Sequence, residues 1–158
     1  MSAELATVRR ADAAVVRPLR TAVLRPGWTD RLATYPEDET VAVHVAAVLS
    51  GDVHGVGTVY AEPPPAALAG EIDGAAYADG AAWRLRGMAT SDAARGAGLG
   101  RAVLDECFAV VRESGGSYLW CNARLGAVGF YQRMGMGTAG PEFDIAGIGP
   151  HYVMWRAV

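Results

Sequence analysis

The chain has 158 residues and no lysine: all 14 of its basic residues are arginine. A Walker A loop, G-x-x-x-x-G-K-[ST], needs a lysine to reach its phosphates, so that nucleotide-binding loop is excluded. The arginine bias reads as genome composition and is assigned no function. Cysteine is nearly absent as well. Cys107 and Cys121 are too few for a disulfide framework and lack metal-ligand spacing. Both lie in apolar segments, where a free cysteine behaves as a small buried hydrophobe. No metal site is expected. Surplus positive charge is missing too. A formal net charge of −3 offers no basic face for a phosphate backbone, which argues against nucleic acid as a partner. No apolar run approaches the roughly 20 residues that span a bilayer. Residues 1–10 do not show a basic start followed by an apolar stretch, so no signal peptide is expected and a cytoplasmic location follows.

What remains is an ordinary globular composition, 51% hydrophobic and 20% charged, and a length that suits one domain over residues 1–158. Its most informative stretch is Arg95-Gly-Ala-Gly-Leu-Gly100, three glycines within six residues. An apolar run precedes it, and residues 101–112 follow with the spacing of an amphipathic helix. A strand, a glycine turn and a helix start in that order make an anion site. The glycines let the backbone approach a ligand, and the positive end of the helix dipole attracts a negative group. A dinucleotide fingerprint would read G-x-G-x-x-G in the first strand-turn-helix unit. Here the turn lies past mid-chain, and its spacing is G-x-G-x-G.

The remaining pattern alternates strands and helices. Residues 5–8 read as a short strand, and residues 11–24 as a helix with Val15, Leu19 and Val23 on one face. Asp12 is placed to support its first turn, and Arg25-Pro26-Gly27 ends it. Residues 28–35 are a second short helix or a loop. Residues 41–49 and 56–61 form a hairpin, with His44 and His54 expected to be exposed on it. Glu62 and three prolines break it, and the segment to Gly80 reads as a surface loop, either an acceptor-side lid or, the favoured reading because it lacks a charged cluster, padding. Residues 82–90 are the central strand, 117–121 another strand and 124–134 another helix. Two last strands, 136–139 and 152–156, are joined by a loop too long for a tight turn. The class is α/β, with strands and helices packed around a single sheet.

The spacing of Arg95, Gly98 and Gly100 resembles motif A of the GNAT superfamily of acyl-CoA-dependent N-acetyltransferases, whose loop grips the CoA pyrophosphate with main-chain amides. Upstream, Leu85-Arg-Gly-Met-Ala-Thr90 is similar to that family's fourth strand, whose edge pairs with the pantetheine arm. Downstream, Ala127-Val-Gly-Phe-Tyr-Gln-Arg-Met-Gly135 resembles motif B, A-x-x-F-Y-x-x-x-G-F. The inferred order of elements is the family order, and the resemblance implies a mixed, mostly antiparallel sheet of about seven strands with about four helices, splayed between the fourth and fifth strands. Two positions depart. Arg124 stands where motif B often carries an asparagine, leaving Asn122 as the nearest substitute, and Met136 replaces the usual phenylalanine.

The resemblance implies acetyl-CoA as co-substrate and a small-molecule or peptide amine as acceptor. It also allows two copies to pair as a homodimer through their last strands or sheet edges. The donor would be held by Met88, Ala89 and Thr90 on the fourth strand, by Arg95, Gly96, Ala97, Gly98, Leu99 and Gly100 in the turn, and by Arg101 and Asn122. Arg101 opposes the dipole of its own helix, which favours an anionic partner beside it. Tyr131 matches the tyrosine that protonates the departing sulfur, although a tyrosine there also packs a helix on a sheet. For the base, His151 opens the last strand, and Glu62 is a second candidate. A backbone-satisfied histidine is the plainer reading of His151. The loop of residues 143–151 would wall the acceptor site, with Asp144 holding a cationic amine. Arg84 and Arg86 alternate on the central strand. They read either as a clamp for an acceptor carboxylate or as ion-pair partners of Asp105 and Glu106. A non-catalytic acyl-CoA sensor with the same fold is the alternative to the enzyme.

Overall fold

The computed structural model describes residues 6–94 and 96–158, so the expectations for Leu5 and Arg95 lie outside the described residues. The chain begins with strand β1 (Thr7–Ala11), helix α1 (Ala13–Leu24), and strands β2 (Val43–Leu49), β3 (Asp52–Ala61) and β4 (Ala82–Thr90). Helix α2 (Leu99–Glu113), strand β5 (Tyr118–Arg124) and helix α3 (Val128–Arg133) follow, and strands β6 (Gly137–Ile145) and β7 (Gly149–Ala157) close the fold. The strands form one sheet in the order β1-β2-β3-β4-β5-β7-β6. Pairs β1–β2, β2–β3, β5–β7 and β6–β7 are antiparallel, and β4–β5 is parallel. The class is α/β with a seven-stranded mixed sheet. Among the described residues there are three α-helices rather than about four, and no helix is long and apolar enough to cross a membrane.

Contacts divide the chain into two compact units, Met1–Tyr60 with Arg86–Val110 and Ala61–Leu85 with Val111–Val158. In the first, the apolar face of α1 covers the sheet. Val16, Ala46, Val56 and Ala89 are buried together, with Val15, Leu19 and Val23 packed against them. The Asp12 carbonyl accepts from Val15 N–H at 3.0 Å, while its carboxylate makes no cap hydrogen bond, so its support of the helix start is the weaker charge–dipole kind. On α2, Val103, Leu104 and Cys107 are completely buried. Truncating Leu104 to alanine would cost about 2–5 kcal/mol in lost burial and cavity formation.

Residues 28–35 are not a helix. The one buried residue of the segment, Ala33, has both backbone groups satisfied by side chains of α1, as burial requires. Ala33 N–H donates to Thr21 Oγ1 at 2.8 Å, and the Ala33 carbonyl accepts from Arg20 Nη1 at 3.0 Å. Arg20 is fully buried and also donates to both Asp38 carboxylate oxygens, at 2.8 and 3.2 Å, and to Thr58 Oγ1 at 2.8 Å. His44 completes the network and is 3% exposed, against the expectation of an exposed hairpin residue. Its Nε2–H donates to the Asp38 carbonyl and its Nδ1 accepts from Thr58 Oγ1, both at 2.8 Å. Burial costs it little because both ring nitrogens are satisfied. His54 is half-buried, with Nδ1 2.7 Å from Ser91 Oγ. Gly87 on β4 has φ +64°, and a Cβ there would lie 2.7 Å from Arg20 Nε. Only glycine permits both that backbone angle and that close approach.

In the second unit, Ile72, Ala76, Ala82, Trp120, Ala139 and Val153 are buried as one cluster. The segment expected to be surface padding therefore contributes core residues. It forms two short 3₁₀ turns, Ala66–Leu68 and Gly74–Tyr77, and the Glu62 carbonyl accepts from Trp120 Nε1 at 2.8 Å. The parallel ladder pairs only Ala82–Arg84 with Tyr118–Trp120, although both strands run on past it. Residues 124–127 are not part of a long helix; a 3₁₀ turn precedes the six-residue α3. The expected long loop before His151 is a tight hairpin. Phe143 pairs with His151, Asp144 with Pro150 and Ile145 with Gly149, and Ile148 N–H donates to the Ile145 carbonyl at 2.9 Å. Prolines at 141 and 150 hid this hairpin from the strand pattern, and a register shift between Ala139 and Phe143 accommodates the first of them.

Candidate functional site

The glycine turn opens directly into α2. Gly96 has φ +81° and Gly98 φ +77°, and among the described residues nothing lies within 4 Å of where a Cβ would stand on either. These glycines therefore answer the backbone angle rather than close packing, and the space above them is open. Residues 96–98 are exposed, while Leu99 is buried and anchors the helix start. The first-turn N–H groups of a helix have no intrahelical acceptor, so the turn presents donors and a positive dipole end on an accessible surface. The Arg101 side chain is 76% exposed and 4.0 Å from Asp105. A surface pair at that distance holds the guanidinium weakly and leaves it able to meet an anion. On β4, Ala89 is buried while Met88 and Thr90 are half-buried at the end of the strand.

In the second unit, Asn122 on β5 has a buried Oδ1 with no hydrogen-bond partner among the described residues. An unmatched buried carbonyl oxygen costs about 1–3 kcal/mol, which a ligand N–H would recover. Tyr131 on α3 is 6% exposed and packs edge-on against Phe130 at 5.2 Å. Burial pushes the Cys121 thiol up to about 12, against the opposing pull of Arg84 and a hydrogen bond from Tyr131. Burial likewise pushes the Cys107 thiol up to about 12, with Glu106 adding to it. Both cysteines are inert structural thiols.

His151 is 4% exposed, and its ring stacks on Phe143 at 5.8 Å. Its Nδ1 lies 2.7 Å from the Gly149 carbonyl, which can only accept, so the proton sits on Nδ1 and the lone pair on Nε2. Asp144 is exposed on β6 opposite Pro150, and the loop on which its acceptor role rested is a strand.

Arg84 and Arg86 have different partners. Arg84 Nη1 meets Glu62 Oε2 at 3.1 Å, and its guanidinium lies 5.0 Å from the Trp120 ring centre. Glu62 is thus engaged in an ion pair with Arg84. The carboxylates expected to pair with the two arginines are engaged elsewhere, Asp105 with Arg101 and Glu106 with Arg10 at 3.2 Å. Arg86 stacks on Tyr35 at 3.9 Å and has no carboxylate partner among the described residues. It lines a cavity of about 320 Å³ with Arg25, Trp28, Arg31 and Tyr35 among its walls. Of these only Arg86 stood out in the sequence. The aromatic–arginine mixture at 28–35 was the available signal, and it was masked by the absence of any period.

The sequence profile of the Acetyltransferase (GNAT) family matches residues 14–136. The chain belongs to that family. The uncharacterized N-acetyltransferase YitI of Bacillus subtilis (strain 168) is 29% identical over 141 residues, covering 89% of this chain and 88% of YitI. Among solved structures, Escherichia coli ElaA superposes with a TM-score of 0.71 at 15% identity, covering 96% of this chain and 99% of ElaA. An aminoglycoside 6'-N-acetyltransferase complexed with coenzyme A reaches a TM-score of 0.68 at 13% identity, covering 96% of each chain. At these identities the structural likeness establishes the GNAT fold.

GNAT proteins use acetyl-CoA, and the residues present here fit such a molecule. Its pyrophosphate needs anion-binding amides, which the turn at 96–100 has where the backbone is open.

Proposed function

We propose that this chain transfers the acetyl group of acetyl-CoA to a primary amine of a small molecule or peptide. The observation that carries the reading is the glycine turn: Gly96 and Gly98 hold left-handed backbone angles in open space at the start of α2, in a chain of the GNAT family. Acetyl-CoA supplies the acetyl group as a thioester with a thiolate leaving group. The amides of residues 96–100 and Arg101 bind its pyrophosphate, and Asn122 Oδ1 accepts a pantetheine N–H. Main-chain N–H groups near Met88, Ala89 and Thr90 stabilise negative charge on the carbonyl oxygen as the amine attacks.

Tyr131 is the general acid. As the carbon–sulfur bond breaks, its hydroxyl proton goes to the departing sulfur. The nitrogen that has formed the new bond must lose a proton. His151 is the base that fits, since its Nδ1–H is held by the Gly149 carbonyl and Nε2 keeps a lone pair. Purified protein mixed with acetyl-CoA and a panel of primary amines, with free thiol followed over time, tests the reading. Amine-dependent thiol release is expected. Tight CoA binding without release for any amine would make the chain a sensor of acyl-CoA instead.

A further inference from the structure

We propose that the cavity bounded by Arg25, Trp28, Arg31, Tyr35 and Arg86 binds a carboxylate, so that the acceptor is an amine that also carries a carboxylate group. The proposal rests on the acetyl-transfer reading above and adds the chemical class of its acceptor.

Three guanidinium groups line this cavity and no Asp or Glu does, in a protein whose net charge is −3. The local sign is opposite to the global one. Other arginines of the same unit are matched: Arg20 meets Asp38 at 2.8 Å, Arg17 meets Glu39 at 2.9 Å, and Arg10 meets Glu106 at 3.2 Å. Arg31 and Arg86 have no carboxylate within ion-pair distance among the described residues. The Arg25 side chain donates to the neighbouring Leu24 carbonyl, at 2.8 Å, and meets no carboxylate among the described residues.

The guanidinium planes are held by aromatic rings instead. Arg31 lies 3.7 Å and Arg25 5.9 Å from the Trp28 ring centre, and Arg86 lies 3.9 Å from that of Tyr35. Stacking fixes a guanidinium by its face and leaves its N–H edge unspent, and that edge matches the two oxygens of a carboxylate. The wall behind is preorganised. Tyr35 carries Arg20 at 4.2 Å as well as Arg86, and its N–H donates to Asp38 Oδ2 at 3.1 Å. Arg20 is neutralised by Asp38, so the charge left facing the cavity belongs to Arg25, Arg31 and Arg86. A volume of about 320 Å³ sits at the small end of ligand sites. It suits an amine of amino-acid size better than a nucleotide, and a carboxylate is the anionic group that amines of that size ordinarily carry.

The test compares free amino acids with their α-carboxamides, glycine, leucine, phenylalanine and glutamate serving as probes. Turnover is read as kcat/KM for each acceptor, and binding is read by calorimetry with leucine and leucinamide under saturating CoA. The wild-type protein should prefer the carboxylate of each pair. Arg86→Gln and Arg31→Gln should each reduce that preference by about tenfold to a hundredfold, the loss of a charge-assisted hydrogen bond. The KM for acetyl-CoA should stay the same, and Arg86→Lys should restore part of the preference. Equal use of both acceptors by the wild type, or a preference that survives the double variant, overturns the assignment. So does a loss of affinity for CoA but not for dephospho-CoA in Arg86→Gln, which would make the donor's own phosphate the occupant. Thiol release without carboxylate preference sinks the cavity and spares the acetyl transfer. Carboxylate binding that Arg86→Gln abolishes, with no thiol release for any amine, does the reverse.

Discussion

The glycine turn and the arginine cavity lie in the same half of the molecule, and both are suited to anions, yet they are built in opposite ways. The turn is main chain: consecutive residues, two left-handed glycines and a helix start. The cavity is side chain: arginines from residues 25–31 and from β4, each laid on an aromatic ring. A backbone site depends on glycine angles that few other residues can adopt, so any sequence that builds it must show them. A side-chain site can be assembled from many positions, so it leaves little local trace. The same contrast suits the chemistry, since the donor is common to the family while acceptors differ with the side chains that recognise them.

That contrast can be broken by substitution. The largest effect should come from Tyr131→Phe, which touches neither anion site. A lost general acid lowers kcat by about 10²–10⁴-fold, while the KM for acetyl-CoA and the carboxylate preference of the acceptor hold. An unchanged kcat would remove the acid role from Tyr131. Next is Asp38→Asn, which strands the fully buried Arg20. Breaking one side of a buried pair costs about 3–5 kcal/mol, or roughly 10 °C in Tm for a domain of this size. Because Asp38 also orders Tyr35, acceptor selectivity should fall in this variant while CoA affinity is kept. Thermal unfolding alongside CoA titration checks both.

Gly98→Ala should do the converse. Its backbone angle of +77° costs an alanine about 1–2 kcal/mol, so CoA affinity should drop about tenfold while the ratio of carboxylate to carboxamide turnover stays constant. If selectivity moved with it, the two sites would not be separable.

The smallest effect is a pH dependence. Burial works to raise the Asp38 carboxyl, but hydrogen bonds from Arg20, the Tyr35 amide and Arg17, with the nearby Arg20 charge, outweigh it and hold the group below its ordinary value. The unfolded chain therefore takes up this proton more readily than the folded one. The stabilisation is complete above the ordinary aspartate value of about 3.9 and is lost as pH falls through the lower folded value. Unfolding midpoints recorded downward from pH 6 should show a drop at the acid end that Asp38→Asn lacks.

Most of the fold was legible in the sequence because its strands and helices keep their periods. β4 runs over Ala82–Thr90 as the alternation implied, and α2 ends at Glu113, close to the expected Arg112. The failures have different physical causes. His44 is buried because Thr58 and Asp38 accommodate both ring nitrogens. The strand around Phe143 was hidden by prolines that a register shift absorbs. At the candidate site, Gly96, Gly98 and Tyr131 could be named from local motifs. Trp28, Arg31 and Tyr35 could not, because nothing in their own segment shows that Arg86 lies across from them.

The most direct test of the account follows the acetyl group itself. Acetyl-CoA labelled isotopically in the acetyl carbons is incubated with the protein and leucine, and the products are read by mass spectrometry. The account predicts label on the leucine nitrogen, with an equal amount of free CoA, and little label on leucinamide. Intact labelled acetyl-CoA after incubation with leucine and every other amine offered, despite bound CoA, would contradict it.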